Sequence, residues 1–186
     1  MRLFRATAAG LPGGRGGATA APLRVLVASW AAASLSAAPA AAQQIGIATG
    51  TVPESVILED LDGERVGLES YIGEGPVLVQ FWATWCEVCE ALEPRLRAAA
   101  ERWGDDVDFL VVAVGVNQSP RRVRRYMEQH ALHGRVLWDG RGRAARAFLA
   151  PTTGYLVILD ADGRVAYTGV GEDQDFEPAL ARVAGD

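Results

Sequence analysis

An apolar run with one polar position, Gln80, spans residues 77–83. A strand that is apolar on both faces is typical of a sheet centre that helices cover on both sides. Residues 86–103 follow with apolar positions at helical spacing. The predicted buried face consists of Leu92, Leu96, Ala99 and Trp103. Gly104 marks the end of this helix and Pro94 predicts a kink within it. The pattern predicts a central strand that leads directly into a long amphipathic helix.

Shorter runs before and after this unit alternate between strand and helix patterns. Residues 55–60 and 64–68 are β-prone and are separated by an Asp-Gly turn signal, so we predict a hairpin there. Ser119 and Pro120 are typical of the N-cap and first position of a helix. The other predicted elements are a strand at 107–116, a helix at 120–134, a strand at 135–138, a short helix at 142–149, strands at 155–159 and 164–170, and a helix at 176–184. The alternation predicts an α/β fold with a central mixed β-sheet flanked by helices.

Charge divides the chain into two parts. Residues 1–42 contain four arginines and no acidic residue, and they end with an apolar stretch and an A-x-A pattern. We therefore predict that residues 1–42 are a signal peptide or an uncleaved signal anchor, that 43–51 are a linker and that 52–186 form the folded domain. The expected location is extracytoplasmic, either periplasmic or secreted, with a membrane tether if the anchor is retained. Disulfides persist in such compartments.

The chain after residue 42 is acidic. It contains 14 arginines, no lysine and 23 acidic residues, which gives a formal net charge of −9. Nonspecific nucleic-acid binding depends on Lys and Arg that neutralise phosphates, so the composition argues against nucleic acid as a partner. A local exception lies between residues 121 and 146, where eight arginines accompany only Glu128 and Asp139. This segment is either a solvated surface or a docking surface for an acidic partner.

The only two cysteines, Cys86 and Cys89, lie at the predicted junction of strand and helix. Backbone N–H groups and the dipole at a helix N-terminus favour an anion, so we expect a lowered pKa for the Cys86 thiol and assign it as the candidate nucleophile. Cys89 lies three residues later on the same face of the first turn, where it can resolve a mixed disulfide. Two other interpretations compete. One is half of a zinc site, which would need ligands such as His130 and His133; the other is a structural disulfide, whose small loop would stabilise little.

The segment FWATWCEVC at residues 81–89 resembles the active-site stretch of the TlpA/ResA-type thiol-disulfide oxidoreductases, which have the thioredoxin fold. Pro94 matches the helix-kinking proline of that family. Residues 52–71 resemble its additional N-terminal hairpin, and residues 160–163 resemble a later hairpin turn. Together these matches cover roughly residues 50–185.

The resemblance implies a thioredoxin-like fold with an extra N-terminal β-hairpin. It implies a redox-active disulfide between Cys86 and Cys89, with no separate cofactor and no metal. It also implies that Pro151 is the family's cis-proline, which faces the disulfide and receives the backbone of a partner. The expected substrate-binding residues are Trp85, Ala150, Pro151 and Thr152. The expected redox-tuning residues are Glu87 and Val88, between the cysteines.

Two positions depart from the family pattern. Gln80 stands where thioredoxin has a buried acid that assists proton transfer to and from the resolving cysteine, so Gln80 cannot be the base. Leu92 stands where the family usually has a glutamate. Glu93, one position later, is expected to be a solvated side chain on a different face of the helix. The proton acceptor for Cys89 is therefore unassigned.

The function that the resemblance implies is the reduction of disulfides in other exported proteins, including apocytochrome c, with electrons from a membrane thiol-disulfide carrier. The protein is expected to act as a monomer. Two other classes of function stay open: a copper chaperone or redox-silent binding module on the same fold, and a peroxidase, whose active-site loop the WCEVC segment does not resemble. His130 is interpreted as a core or helix-end histidine and His133 as part of a loop.

Overall fold

The computed structural model describes residues 45–185, in which seven strands form one mixed sheet with helices on both faces. The strands are β1 (Ile57–Glu59), β2 (Arg65–Gly67), β3 (Val77–Trp82), β4 (Asp108–Val114), β5 (Arg135–Asp139), β6 (Tyr155–Leu159) and β7 (Val165–Val170). The helices are α1 (Glu87–Trp103), α2 (Pro120–Met127), α3 (Arg143–Ala147) and α4 (Glu177–Ala184), and a 3-10 turn spans Leu68–Ser70. The predicted α/β fold with a mixed sheet is confirmed. The signal segment predicted at 1–42 lies outside the described residues.

The strand order across the sheet is β2-β1-β5-β4-β3-β6-β7. The three strands β3, β4 and β5 are parallel, and their connections contain α1 and α2. Strand β6 extends the sheet antiparallel to β3 at one side, and β7 pairs antiparallel with β6. The predicted hairpin of β1 and β2 extends the sheet at the other side. Strand β3 is therefore an inner strand, as predicted, and its carboxyl end leads into α1.

Alternation along β3 explains its apolar run, because the two faces of the strand pack against different layers. Val79 and Phe81 pack with residues of α3 and β6 on one face. Leu78 and Trp82 lie on the other face, beneath α1. Gln80 shares that second face and is fully buried. Within residues 45–185, neither polar atom of its side chain has a hydrogen-bond partner.

Helix α1 confirms the predicted helix and its buried face. Cys86 is the N-cap, the helix ends at Trp103, and the four predicted positions are buried. Glu93 differs from the prediction, because it is only 9% exposed and its Oε2 lies 3.0 Å from Nδ1 of His133. The expectation of a solvated Glu93 was wrong. The helix turns this carboxylate inward toward a histidine that the sequence places 40 positions away.

Helix α2 begins as predicted but is shorter. Ser119 is the N-cap, and its hydroxyl accepts a hydrogen bond from the backbone N–H of Arg122 at 3.4 Å. The helix ends at Met127, whereas the sequence predicted an end near Gly134. The backbone N–H groups of residues 129 and 130 both turn back to the carbonyl oxygen of Tyr126 at 3.0 Å, which closes the helix.

Residues 45–51 pack against the domain. Ile47 is 5% exposed, and its N–H donates to the hydroxyl of Tyr155 at 3.0 Å. The N–H of Gly50 donates to the carbonyl oxygen of Val165 at 2.7 Å. The expectation of a linker was therefore wrong for these residues. Throughout residues 45–185, no helix combines the length and the apolar character needed to cross a membrane.

Candidate active site

Cys86 and Cys89 form a disulfide at the junction of β3 and α1, as their predicted position required. Their Cα atoms are 5.2 Å apart. Sγ of Cys86 caps the helix and accepts a hydrogen bond from the backbone N–H of Cys89 at 3.1 Å. Free N–H groups and the positive end of the helix dipole meet at this position. They favour the thiolate form of Cys86 once the disulfide is reduced.

The two cysteine residues differ in solvent exposure. Cys86 is 8% exposed, whereas Cys89 is fully buried. The core cluster that contains both cysteines also includes Trp82, Val111 and Val123, from β3, β4 and α2. A partner can therefore reach Cys86 first, while Cys89 is available for a second, internal step.

The loop before Cys86 is held by a glutamine that the sequence did not single out. The backbone N–H of Thr84 donates to Oε1 of Gln118 at 2.9 Å. Nε2 of the same side chain donates to the carbonyl oxygen of Val114 at 2.6 Å. Gln118 therefore fixes the active-site loop to the end of β4. No local pattern marks such a residue, because its role depends on two segments about 30 positions apart.

Trp85, the residue before Cys86, forms one wall of a cleft that neither cysteine lines. Its indole is 43% exposed, and Nε1 donates to the carbonyl oxygen of Val116 at 2.8 Å. We call this space the active-site cleft; its volume is about 440 Å³. The side chains that line it are mainly apolar. They include Phe81, Trp85, Val114, Val116, Ala145, Ala150, Thr152 and Thr153.

Three of the four residues predicted to bind substrate line this cleft, namely Trp85, Ala150 and Thr152. Pro151 is exposed and is not among the lining residues. No cis peptide bond occurs in residues 45–185, so the Ala150–Pro151 bond is trans. The expectation of a cis-proline at this position was wrong.

Gly154, which the sequence did not single out, lies against the C-x-x-C turn. Its N–H donates to the carbonyl oxygen of Phe81, at the end of β3, at 2.8 Å. A Cβ atom placed on Gly154 would lie 2.8 Å from Cγ1 of Val88, and its φ angle is +74°. Pro151 lies three residues earlier in the chain, so it can be up to roughly 10 Å from this contact. The sequence signal that could have identified Gly154 was a glycine immediately before an apolar strand pattern.

The residues between the cysteines lie on different sides of the turn. Glu87 is exposed, and Val88 is half-buried against Gly154. Asp139, at the end of β5, is buried nearby in the cleft lining. Its carboxylate accepts hydrogen bonds from the backbone N–H groups of Arg143 at 2.6 Å and Ala145 at 3.0 Å. Asp139 therefore holds the start of α3 against the cleft.

The two histidines considered as zinc ligands point elsewhere. His133 is buried against Glu93, as described above. His130 is exposed just after α2, where its ring stacks on Tyr126 at a centroid distance of 4.2 Å. In the part of the chain from 45 to 185, no three or more His, Cys, Asp and Glu side chains are grouped so that they could hold a metal ion.

Comparisons with known proteins agree on the family and the fold. The Redoxin family model matches residues 36–183. Thiol-disulfide oxidoreductase ResA of Geobacillus thermodenitrificans is 25% identical over 146 residues, which are 76% of this chain and 81% of the relative. Thioredoxin-like protein YneN of Bacillus subtilis is 31% identical over 132 residues, 69% of this chain and 75% of the relative. Among solved structures, the exposed lipoprotein thioredoxin Etrx1 of Streptococcus pneumoniae has a TM-score of 0.59 at 24% identity and covers 71% of this chain and 98% of its own.

These matches confirm the resemblance found in the sequence and the thioredoxin-like fold, in which a mixed sheet carries a C-x-x-C pair at the start of a helix. Together with the geometry of the two cysteines, they establish that the chain belongs to the redoxin family and is a thiol-disulfide oxidoreductase.

Proposed function

We propose that this protein acts outside the cytoplasm and reduces disulfides in other exported proteins, including apocytochrome c. The observation that carries the proposal is the unequal exposure of the two cysteine residues, 8% for Cys86 at the helix N-cap and 0% for Cys89. The arginine-bearing N-terminal segment with its A-x-A pattern supports export. The name of Etrx1 as an exposed lipoprotein supports the same location. The protein is proposed to act as a monomer.

The chemistry proceeds in two exchange steps. The thiolate of Cys86 attacks one sulfur of the substrate disulfide, which forms a mixed disulfide and releases one substrate thiolate. The thiolate of Cys89 then attacks Sγ of Cys86, which re-forms the internal disulfide and releases the second substrate thiolate. The substrate gains two electrons and two protons. A membrane thiol-disulfide carrier is proposed to return two electrons to the Cys86–Cys89 disulfide.

Substrate contacts are proposed at Trp85, Ala150, Pro151 and Thr152. Three of these line the active-site cleft, which supports their assignment. Pro151 keeps its proposed role only as an exposed residue at the cleft rim. Glu87 and Val88 are proposed to tune the redox potential, since they are the residues enclosed by the reactive pair.

The reduction potential of the Cys86–Cys89 pair decides the direction of electron flow. Oxidoreductases of this fold span about 150 mV, or roughly 7 kcal/mol for a two-electron couple. A reductant requires a potential near or below that of the glutaredoxins, about −200 mV, whereas a value near −120 mV would make the protein an oxidant. Equilibration of the purified protein with glutathione and dithiothreitol buffers measures this potential.

The test of activity is insulin reduction combined with a trapping variant. The wild-type protein with dithiothreitol is expected to precipitate insulin B chains. The Cys89→Ser variant is expected to accumulate mixed disulfides with exported proteins, because the second step is blocked. Cys86→Ser is the matched control and is expected to trap nothing. Equal trapping by the two variants, or a potential near −120 mV, would overturn the proposed reductant mechanism.

A further inference from the structure

The active-site cleft adjoins a second cavity of about 490 Å³, which we call the arginine cavity. Asp139, Gly140 and Arg141 line both spaces. The two spaces are therefore adjacent, and we call the pair of them the groove. It extends from Trp85, the residue before Cys86, to residues of β1 and β2. The remaining residues of the arginine cavity are Ile57, Leu58, Glu59, Arg65, Trp138 and Arg143.

The half of the groove near the disulfide presents apolar surface. Trp85 is 43% exposed and Val116 is 56% exposed, which is unusual for residues of this size in a water-facing position. The floor is formed where the loops after β4 and β5 meet. A Cβ atom on Gly115 would lie 2.7 Å from Cα of Gly140, so the two loops are in close contact there. This half fits an apolar side chain of a partner.

The other half of the groove is cationic. Arg141 and Arg143 line it and are exposed, and among the described residues neither forms an ion pair with a carboxylate. The cavity also contains two acidic residues, Glu59 and Asp139. Glu59 lies opposite Arg65 in the register of β1 and β2. The carboxylate of Asp139 is buried and accepts its hydrogen bonds from the backbone.

The first turn of α1 carries the other sign of charge. Glu87 and Glu90 are exposed in the first turn of α1. Since the chain after residue 42 has a net charge of −9, an acidic segment would be repelled by most of this protein. The groove beside Arg141 is therefore where an acidic segment could approach Cys86 with favourable electrostatics.

We propose that the groove binds an extended segment of the substrate protein in which an apolar residue adjoins the reactive cysteine and acidic residues follow on one side. The apolar residue occupies the active-site cleft, and the acidic residues lie against Arg141 and Arg143. The inference rests on the proposed function, because it names the class of protein disulfide that the Cys86–Cys89 pair reduces. Glu87 and Glu90 disfavour acidic residues of the segment at the start of α1.

The test uses synthetic peptides with one cysteine held as a mixed disulfide with mercaptoethanol and a leucine beside it. Each peptide carries two further variable residues, and both are Glu, both are Gln or both are Arg. One series places this pair on the amino side of the cysteine, and a second series places it on the carboxyl side. Stopped-flow tryptophan fluorescence gives the rate constant for oxidation of the reduced protein. In one of the two placements we expect the Glu peptide to react about tenfold faster than the Gln peptide at low salt, and the Arg peptide to react more slowly.

Charge-reversal variants locate the effect. Arg141→Glu/Arg143→Glu is expected to abolish or reverse the preference. The matched control, Arg164→Glu/Arg182→Glu, changes the net charge equally at residues outside the groove and is expected to keep the preference. All variants are first assayed with hydroxyethyl disulfide, a small neutral substrate, and each peptide rate constant is divided by the rate constant for this substrate. A general change in the reactivity of Cys86 is thereby separated from a change in charge preference.

The outcomes separate this inference from the proposed function. Equal rates with Glu and Gln peptides, or equal losses in both double variants, would overturn the inference if hydroxyethyl disulfide is still reduced. A preference for the Arg peptide would also overturn it. Failure to reduce any of these disulfides would overturn the proposed function and the inference with it.

Discussion

Glu93 and His133 are paired in the interior close to the redox helix. Oε2 of Glu93 lies 3.0 Å from Nδ1 of His133, and the two side chains are 12% and 0% exposed. Arg97 lies 3.8 Å from the other carboxylate oxygen, one turn further along α1. The ring of His133 also meets that of Phe109 edge-on at a centroid distance of 6.1 Å. Each partner satisfies a polar atom that would otherwise be buried alone.

His133→Ala is expected to lower the free energy of unfolding by about 1–3 kcal/mol, because the Glu93 carboxylate loses its buried partner. Urea unfolding of the oxidised protein measures the change. His130→Ala removes an exposed histidine and is expected to cost less. The double variant Glu93→Leu/His133→Leu is expected to recover most of the loss, since apolar groups then replace both partners. Equal losses in His133→Ala and His130→Ala would contradict a stabilising role for the pair.

At the scale of elements, the segment before β6 determines what lies against the C-x-x-C turn. Gly154 occupies that position with a left-handed backbone, and Val88 of α1 packs directly against it. The contact joins the first turn of α1 to the end of β3 through the hydrogen bond between Gly154 and Phe81. A side chain at this position would push α1 and β6 apart.

Gly154→Ala is expected to destabilise the protein by more than the roughly 1 kcal/mol that a left-handed backbone alone costs. Gly50→Ala is the matched control, because Gly50 has a φ angle of +79° and open space around its Cα. The excess loss in Gly154→Ala is expected to disappear when Val88→Ala is added, since the 2.8 Å contact is then relieved. Chemical unfolding of the wild-type protein and the three variants measures the cost of the left-handed backbone and the additional cost of the contact with Val88. Similar losses at Gly154 and Gly50 would show that the packing against Val88 is unimportant.

At the scale of the whole molecule, the N-terminal segment 45–51 closes one face of the sheet. Ile47 joins the core cluster that contains residues of β1, β3 and β6. Its N–H donates to the hydroxyl of Tyr155, 108 positions later. Burial raises the pKa of the Tyr155 hydroxyl above its ordinary value, and the bonds to Ile47 and Thr168 oppose that rise only in part. Burial likewise raises the pKa of Tyr167, on β7.

The raised pKa values predict loss of stability in alkali. In the unfolded chain these tyrosines lose their protons near pH 10, while the folded protein retains them, so their contribution is complete below about pH 10 and is lost as pH rises through the folded pKa values. Tyr155→Phe is expected to reduce this alkaline loss but to lower stability at neutral pH by about 1–3 kcal/mol, because the buried N–H of Ile47 loses its acceptor. Unfolding in urea across the pH range measures both effects. A wild-type profile that stays flat well above pH 10 would contradict the prediction.

Local patterns were sufficient for much of the fold. The apolar run at β3, the face of α1 and the Ser119 cap each depend on residues within a few positions of one another, and all three were predicted. The position of Cys86 at a helix N-terminus followed from the same local signals. The resemblance of residues 81–89 then extended these elements to a thioredoxin-like fold, which the comparisons confirm.

The sequence by itself determined the order of strands and helices and the reactive pair of cysteines, because hydrophobic period, capping and spacing act over short distances along the chain. Only the tertiary structure decided that Gly154 lies against the C-x-x-C turn and that the Ala150–Pro151 bond is trans. It also decided that Glu93 is buried with His133 and that an arginine cavity adjoins the active-site cleft. Each of these features depends on the path of a loop or on how dozens of intervening residues bring two distant segments together. Contacts of that kind are set by strand order and packing, which no local pattern encodes.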